Sequence, residues 1–346
     1  LNNLLFSKIK KYFILLLVPC LSWVFVYWIY SLYNGGSYFF NLAILQPRFS
    51  FVTQSIGEGG TMFLIILVNS LITFSLFKKR KIINIVFLFF ILIFLSLGFA
   101  YGQYKEIEGN RVRVAVVQGN FPGSWDWRVE NLKEVVLEKY LKLSRDAAKK
   151  KPDLIVWPEY AIPVNLSTEN ELSEKIADLA RELSVNIIVG SIVGDGTISS
   201  DGKSNFYDSA FAYNRAGEII GRYDSLKPFP YGTNNVPGEG YLVFETDAGR
   251  IGITVCNDEV FGEIYRDYDK IGVDYFVSIT NNAPFGDPVV IRWLKRFSEL
   301  RAATYKKYFV RSSNTGFSQV IDPFGNVIDK IPVNEAGYMV TDIYIR

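Results

Sequence analysis

The sequence predicts an α/β domain preceded by transmembrane helices. Two observations carry this reading. Uncharged apolar runs crowd the chain up to Gly102, and from Arg111 onward short apolar strands alternate with amphipathic helices. A third observation locates the chemistry. The stretch Gly249-Arg-Ile-Gly-Ile-Thr-Val-Cys-Asn-Asp-Glu-Val-Phe-Gly262 places Cys256 where a buried strand ends and a helical segment begins.

The apolar runs come first. Tyr12 to Leu32, Thr61 to Phe77 and Ile82 to Gly102 are each uncharged, and roughly 20 such residues span a bilayer as a helix. Two further spans after the first argue against a cleaved secretory signal. Lys8, Lys10 and Lys11 precede the first run, and Lys78, Lys79, Arg80 and Lys81 fill the turn between the second and third. By the positive-inside rule both basic clusters are cytoplasmic, so the third helix exits outward and the remaining chain is extracytoplasmic. The intervening stretch Phe39 to Phe51 is apolar but broken by Pro47. It is either packed at the outer membrane surface or re-entrant, or else an ordinary loop. The chain starts at Leu1 and not at a methionine, which is compatible with a fragment lacking earlier helices. The expected organisation is a membrane domain over 1–102, a polar linker over 103–110, and an extracytoplasmic domain over 111–346.

Within that domain Arg111 to Gln118 reads as the first strand and Asn131 to Lys149 as an amphipathic helix. Asp153 to Trp157 is a buried strand ending at Pro158-Glu159. Ser173 to Leu183 is a helix, and Asn186 to Gly190, Ala210 to Asn214 and Glu218 to Tyr223 are strands. After Gly252 to Val255 come a helix from Glu259 to Tyr268, the strand Tyr275 to Ile279 and the long helix Val290 to Lys307. The strands Phe309 to Ser312, Phe317 to Ile321 and Asn326 to Ile331 follow.

Composition removes several functions. The net charge is +2, too small to argue for nucleic acid, and the two cysteines, Cys20 and Cys256, lie in unlike surroundings. There is no histidine at all, which excludes Cys-His and Ser-His catalysis and most zinc sites. No metal or organic cofactor is implied. A cysteine at a strand-to-helix turn is either a buried structural residue or a nucleophile beside main-chain N–H groups. Glu159, after the Leu154-Ile-Val-Trp-Pro158 run, is either an exposed strand-terminal carboxylate or a desolvated general base that takes the thiol proton.

With Glu159 on its Trp-Pro-Glu run and Cys256 on Gly-Ile-Thr-Val-Cys, the chain resembles the carbon–nitrogen hydrolase (nitrilase) superfamily. Within that superfamily it resembles the apolipoprotein N-acyltransferases. Val117-Gln-Gly-Asn-Phe-Pro122, Ile155 to Pro163, Ser313-Asn-Thr-Gly316 and Gln54 to Asn69 share the likeness. The resemblance implies a nitrilase-like α-β-β-α sandwich and a Glu-Lys-Cys triad. It also implies residence in the bacterial cytoplasmic (inner) membrane as a multi-pass protein.

The triad carries over to Glu159 and Cys256, but not cleanly to a lysine. Against the family's Tyr-x-Lys-x-x-Leu-Val-Pro-Phe-Gly-Glu, the segment Tyr223-Asp-Ser-Leu-Lys-Pro-Phe-Pro-Tyr-Gly-Thr233 puts Ser225 at the lysine and Thr233 at the second glutamate. Lys227 lies two residues on. In a strand that is the same face, about 6–7 Å away, so its ammonium either reaches back to an oxyanion or is simply solvated. Asp258 keeps the carboxylate expected after the nucleophile, with Glu259 adjacent. Asn281 and Phe285 match the family's Asn-Asp-Ala-Trp-Phe-Gly, although Pro284 replaces its aromatic. Trp127 matches a tryptophan near the site, and Arg301 the arginine of the long helix, where it either serves the site or buttresses the core.

The implied reaction moves a fatty acyl chain from a phospholipid, through a Cys256 thioester, to the N-terminal amine of an apolipoprotein. The alternatives are a membrane-anchored amidase with the same residues, or a catalytically degenerate relative that binds lipid or lipoprotein. Ser225 and Pro284 speak for the last.

Overall fold

The computed structural model describes residues 2–34, 41–45, 50–77, 81–104, 108–121, 132–199, 202–229, 234–283 and 288–346. They form two compact units, Leu1–Glu106 and Ile107–Arg346.

The first unit holds three helices, α1 (Asn2–Asn34), α2 (Ser50–Phe77) and α3 (Lys81–Tyr104). Lys10–Ile29 and Phe51–Leu76 are long and apolar enough to cross a membrane, and Ile82–Gly98 is a shorter apolar stretch. Phe25, Leu76, Phe90 and Leu92 are all exposed. So much uncovered apolar surface suits lipid and not water. The second helix begins earlier than the run Thr61 to Phe77 suggests. It starts at Ser50 and continues through a break at Gly57, where φ is 71° and ψ −178°. A glycine tolerates that conformation, so the helix resumes beyond it. Ser50 and Phe51, the last residues of the interrupted stretch Phe39 to Phe51, therefore belong to α2. Of the rest of that loop, Leu42–Leu45 forms a 3-10 turn, and 35–40 and 46–49 fall outside the described residues. Asn41 donates to Glu58 Oε2 at 2.7 Å and the Tyr27 hydroxyl does so at 3.3 Å, giving a carboxylate among apolar helices polar partners.

The second unit is two six-stranded sheets, ordered β12-β1-β2-β3-β4-β5 and β11-β10-β9-β8-β7-β6. In the first sheet β1 (Asn110–Gln118), β2 (Leu154–Val156) and β3 (Asn186–Ile198) are parallel, linked by α4 (Leu132–Ala148) and α5 (Asn170–Leu183). In the second, β7 (Gly249–Val255), β8 (Tyr275–Thr280) and β9 (Phe309–Ser313) are parallel, linked by α6 (Gly262–Ile271) and α7 (Pro288–Tyr305). Antiparallel strands flank each parallel centre: β4 (Ser204–Tyr213), β5 (Ile219–Asp224) and β12 (Gly337–Ile345) in one sheet, β6 (Val243–Thr246), β10 (Ser318–Ile321) and β11 (Val327–Ile331) in the other.

Every residue of β2 and β8 is buried, as strands covered on both faces must be. On one side Val136, Leu137 and Tyr140 of α4 and Ile176 and Leu179 of α5 cover Ile155, Trp157, Ile187 and Val189. On the other, Tyr265 of α6 meets Phe276 of β8 edge to face at 5.0 Å. The Ser312 hydroxyl ties the two sheets together, reaching Val117 O at 3.2 Å and Val156 O at 3.3 Å. The result is the α-β-β-α sandwich expected.

Candidate active site

The parallel strands of both sheets deliver their carboxyl ends to one region, where open α/β sheets place their ligands. Two loops first close on each other there. Asn314, after β9, accepts from Phe121 N–H at 2.9 Å and donates to Phe121 O at 2.8 Å, and its side chain also donates to Asn281 Oδ1 at 3.2 Å. The described part of the first motif, Val117–Phe121, and the Ser313–Gly316 motif are thus two halves of one clasp.

Cys256 stands at the end of β7, whose residues Ile251, Ile253 and Val255 are fully buried. It has φ 50°, a left-handed conformation for a residue with a Cβ, and such strain persists only when the surroundings impose it. Asp258 imposes much of it. Its carboxyl accepts from Val255 N–H at 3.1 Å, Lys227 N–H at 2.8 Å, the Tyr223 hydroxyl at 2.9 Å and the Ser225 hydroxyl at 3.1 Å. The 3-10 turn Cys256–Val260 is held from below. Arg301 donates to Val260 O at 2.6 Å, and Glu259 receives Arg311 Nε at 3.0 Å in a buried ion pair.

Glu159 arrives from the other sheet. Trp157, stacked on Tyr140 at 5.0 Å and donating to the Ser144 hydroxyl at 2.9 Å, anchors the end of β2 in the core. Gly190 lets β3 pass close beneath. A Cβ there would lie 2.2 Å from Pro158 O and 2.6 Å from Glu159 Cα. Glu159 is buried, accepts from the Asn281 main-chain N–H, and has the Cys256 thiol and the Asp208 carboxyl as neighbours.

Burial pushes the Cys256 thiol well up, and the neighbouring carboxyl groups of Glu159 and Asp208 push the same way, while the Asn281 N–H pulls the other way. The resting sulfur is therefore a thiol with a base beside it, not a free thiolate. Burial also raises Glu159, against the Asp208, Cys256 and Asn281 hydrogen bonds and the charge of Arg311. Asp258 is pushed up to about 6 by burial, its four donors opposing.

Of the residues singled out by sequence, Glu159, Cys256 and the main chain of Asn281 meet directly. Asp258, Glu259 and Arg301 lie under the turn and shape it. Lys227 contributes its main chain: its N–H to Asp258, its carbonyl to Asn257 Nδ2 at 2.7 Å. Its side chain is exposed, with the ammonium 5.7 Å from the centre of the Phe261 ring. Ser225, at the family's lysine position, is buried. Trp127 and Phe285 lie outside the described residues. Sequence reasoning missed Asp208, Tyr160 and Arg311. Tyr160 follows Glu159 with φ 52°, and its hydroxyl is pushed well up by burial and then by Asp208 and Glu159. The available signal for Asp208 was a lone carboxylate in the otherwise uncharged segment Phe206 to Tyr213. Among the described residues no group of three or more His, Cys, Asp or Glu is arranged for a metal ion.

Residues 113–345 match the carbon-nitrogen hydrolase family. The chain belongs to that family. This carbon–nitrogen hydrolase is 30% identical over 270 residues to the apolipoprotein N-acyltransferase of Geobacter metallireducens, covering 72% of this chain and 51% of that one. It is 24% identical to that of Haemophilus ducreyi over 99% of this chain and 73% of that one. The chain thus spans about half the length of the Geobacter relative. Among solved structures, a variant of the Nesterenkonia AN1 amidase from the nitrilase superfamily superimposes with TM-score 0.56 at 18% identity, over 69% of this chain and 92% of that one. The carbon-nitrogen hydrolase of Helicobacter pylori G27 gives 0.56 at 16% identity, over 68% and 89%. Both show the same fold. The apolar helices add membrane association to it.

Proposed function

We propose that this carbon–nitrogen hydrolase is a membrane N-acyltransferase that carries a fatty acyl chain on Cys256 from a phospholipid to the N-terminal amine of an apolipoprotein. The single observation that carries the reading is the buried Glu159 carboxyl beside the Cys256 thiol at a strained turn, in a chain whose first unit has helices suited to a membrane. Similarity to named apolipoprotein N-acyltransferases supports it.

Glu159 takes the thiol proton as the sulfur attacks the ester carbonyl. The tetrahedral intermediate collapses to a thioester, and Glu159 returns the proton to the departing alkoxide, releasing lysophospholipid. The acceptor amine then attacks the thioester and gives its proton to Glu159. The thiolate leaves and is reprotonated. Both substrates are lipids, and membrane helices spare their chains a transfer through water. On this reading the helices α1, α2 and α3 are three spans of the bacterial inner membrane. The basic clusters are cytoplasmic and residues 107–346 extracytoplasmic.

Purified protein mixed with phospholipid should accumulate an acyl group that hydroxylamine releases, and Cys256→Ser should abolish it. A lipid-free turnover of small amides with no thioester would instead support the amidase, and failure of both the binding relative.

A further inference from the structure

Among the described residues the proposed site lacks the cation that its chemistry calls for. Ser225 occupies the lysine position and is spent on Asp258, Lys227 points its ammonium at Phe261, and Arg311 is already paired with Glu259. What does face Glu159 is Asp208. Its side chain is 2% exposed, and its Oδ1 has no hydrogen-bond donor among the described residues. Its carboxyl nevertheless neighbours that of Glu159, itself 3% exposed. Two buried neighbouring carboxyls, one with an oxygen that no donor satisfies, do not both ionise, so one of them carries a proton.

Resting on the reading of Cys256 as nucleophile and Glu159 as base, we propose that Asp208 is a positioning residue that stays protonated and donates to Glu159, so that the two work as a one-proton carboxyl dyad with Glu159 as the free base. The surroundings decide which partner holds the proton. Glu159 receives the Asn281 N–H and the field of Arg311. Asp208 sits on β4 across from Ile192 of β3, its carbonyl accepting from Ser225 N–H at 2.9 Å, with the carboxyls of Glu159 and Asp258, the Tyr160 hydroxyl and the Cys256 thiol around it and Asp224 on the other face of the sheet. Burial and three negative neighbours push its carboxyl well up. A neutral acid held as a donor in an apolar site is an established device. Here it adds no charge beside a sulfur that must become an anion. It also keeps Glu159 ionised, because the donated hydrogen bond favours the charged form.

The test is alkylation of Cys256 by iodoacetamide in the full-length, detergent-solubilised chain, followed from pH 5 to 9 and located by peptide mass so that Cys20 is scored separately. The sulfur displaces iodide from carbon while Glu159 takes the thiol proton, so no lipid is needed. The acid limb of the rate profile reports ionisation of Glu159. Asp208→Asn keeps a neutral donor and should leave that limb within about half a pH unit of the unaltered protein. Asp208→Ala removes the donor and should move it up by about one unit, a roughly tenfold loss of rate on that limb. A limb that drops by a unit or more in Asp208→Asn would mean that the native residue is an anion, and would overturn the dyad. So would a limb that neither variant moves, or that both move equally. If Asp208→Ala does not fold, Asp208→Asn decides alone. Glu159→Gln separates the two readings. If it leaves the limb in place, Glu159 is not the base and the proposed chemistry fails with the dyad. If it abolishes the limb while Asp208→Asn lowers it, the dyad alone fails.

Discussion

Replacing Asp258 by asparagine tests whether its carboxyl shapes the nucleophile turn. One oxygen accepts from Ser225 and Lys227, the other from Tyr223 and Val255. Whichever oxygen becomes the amide nitrogen, a main-chain N–H, that of Lys227 or of Val255, then meets a donor. The hydroxyls of Ser225 and Tyr223 can rotate; the main chain cannot. A buried donor left unpaired costs about 1–3 kcal/mol. For a unit of this size about 2 kcal/mol lowers the thermal midpoint by roughly 4–8 °C. Tyr223→Phe, which removes one rotatable donor, should cost about half as much. The deficit also depends on pH. Asp258 is raised to about 6 in the fold, above the unfolded value near 3.9, so the folded state binds the extra proton. Its contribution is fully present below about pH 4 and is lost as pH rises through about 6. Asparagine cannot gain it, so the gap between the two proteins should be wider at pH 5 than at pH 8. The measurement is near-ultraviolet circular dichroism against temperature in detergent. Equal midpoints for Asp258→Asn and the unaltered chain, or a gap that narrows as pH falls, would refute the reasoning.

Gly190→Ala should slow Cys256 alkylation by about a hundredfold, because its Cβ would strike Pro158 O and Glu159 Cα and shift the base; a rate within threefold of the unaltered protein would show that β3 yields instead. Lys227→Met should leave acyl-thioester formation within about threefold, against the roughly hundredfold loss expected if its ammonium held the oxyanion. Arg311→Met should lower the thermal midpoint by the equivalent of about 3–5 kcal/mol by stranding buried Glu259. Adding Glu259→Met should recover most of that loss.

The central strands and the helices between them were legible because their patterns are strong. β2 is an unbroken apolar run, β8 is apolar except for Ser278 and Thr280, and α4 and α5 carry their apolar residues at helical spacing. The flanking strands were less so. β3 was expected to stop at Gly190, since Ser191 to Ile198 is rich in glycine and polar residues, but pairing with β4 extends it to Ile198. No strand was expected at Val243–Thr246 or Gly337–Ile345, whose order comes from pairing with β7 and β1. Register against a distant partner leaves little trace in local sequence. The break at Gly57 likewise hid the first turns of α2, because a helix that resumes beyond a glycine looks from the sequence like a loop followed by a span.

In the site, the motif residues Glu159 and Cys256 were visible because each ends an apolar strand, where a polar side chain is conspicuous. Asp208 was not, since it lies inside a strand whose inner end was placed two residues later, at Ala210. A sequence shows formal charge but not protonation, so a search for charge balance among its letters finds only lysines and arginines. The family pattern likewise asks for a lysine, and led to Lys227, two residues from the expected place. Burial supplies another route. Glu159, Asp208 and Asp258 are all enclosed, and Arg311 is neutralised by Glu259. Desolvation makes several adjacent anions too costly at once, so protons occupy some of them. A proton on Asp208 lowers the negative charge facing the sulfur as a nearby cation would offset it, with no change in formal composition.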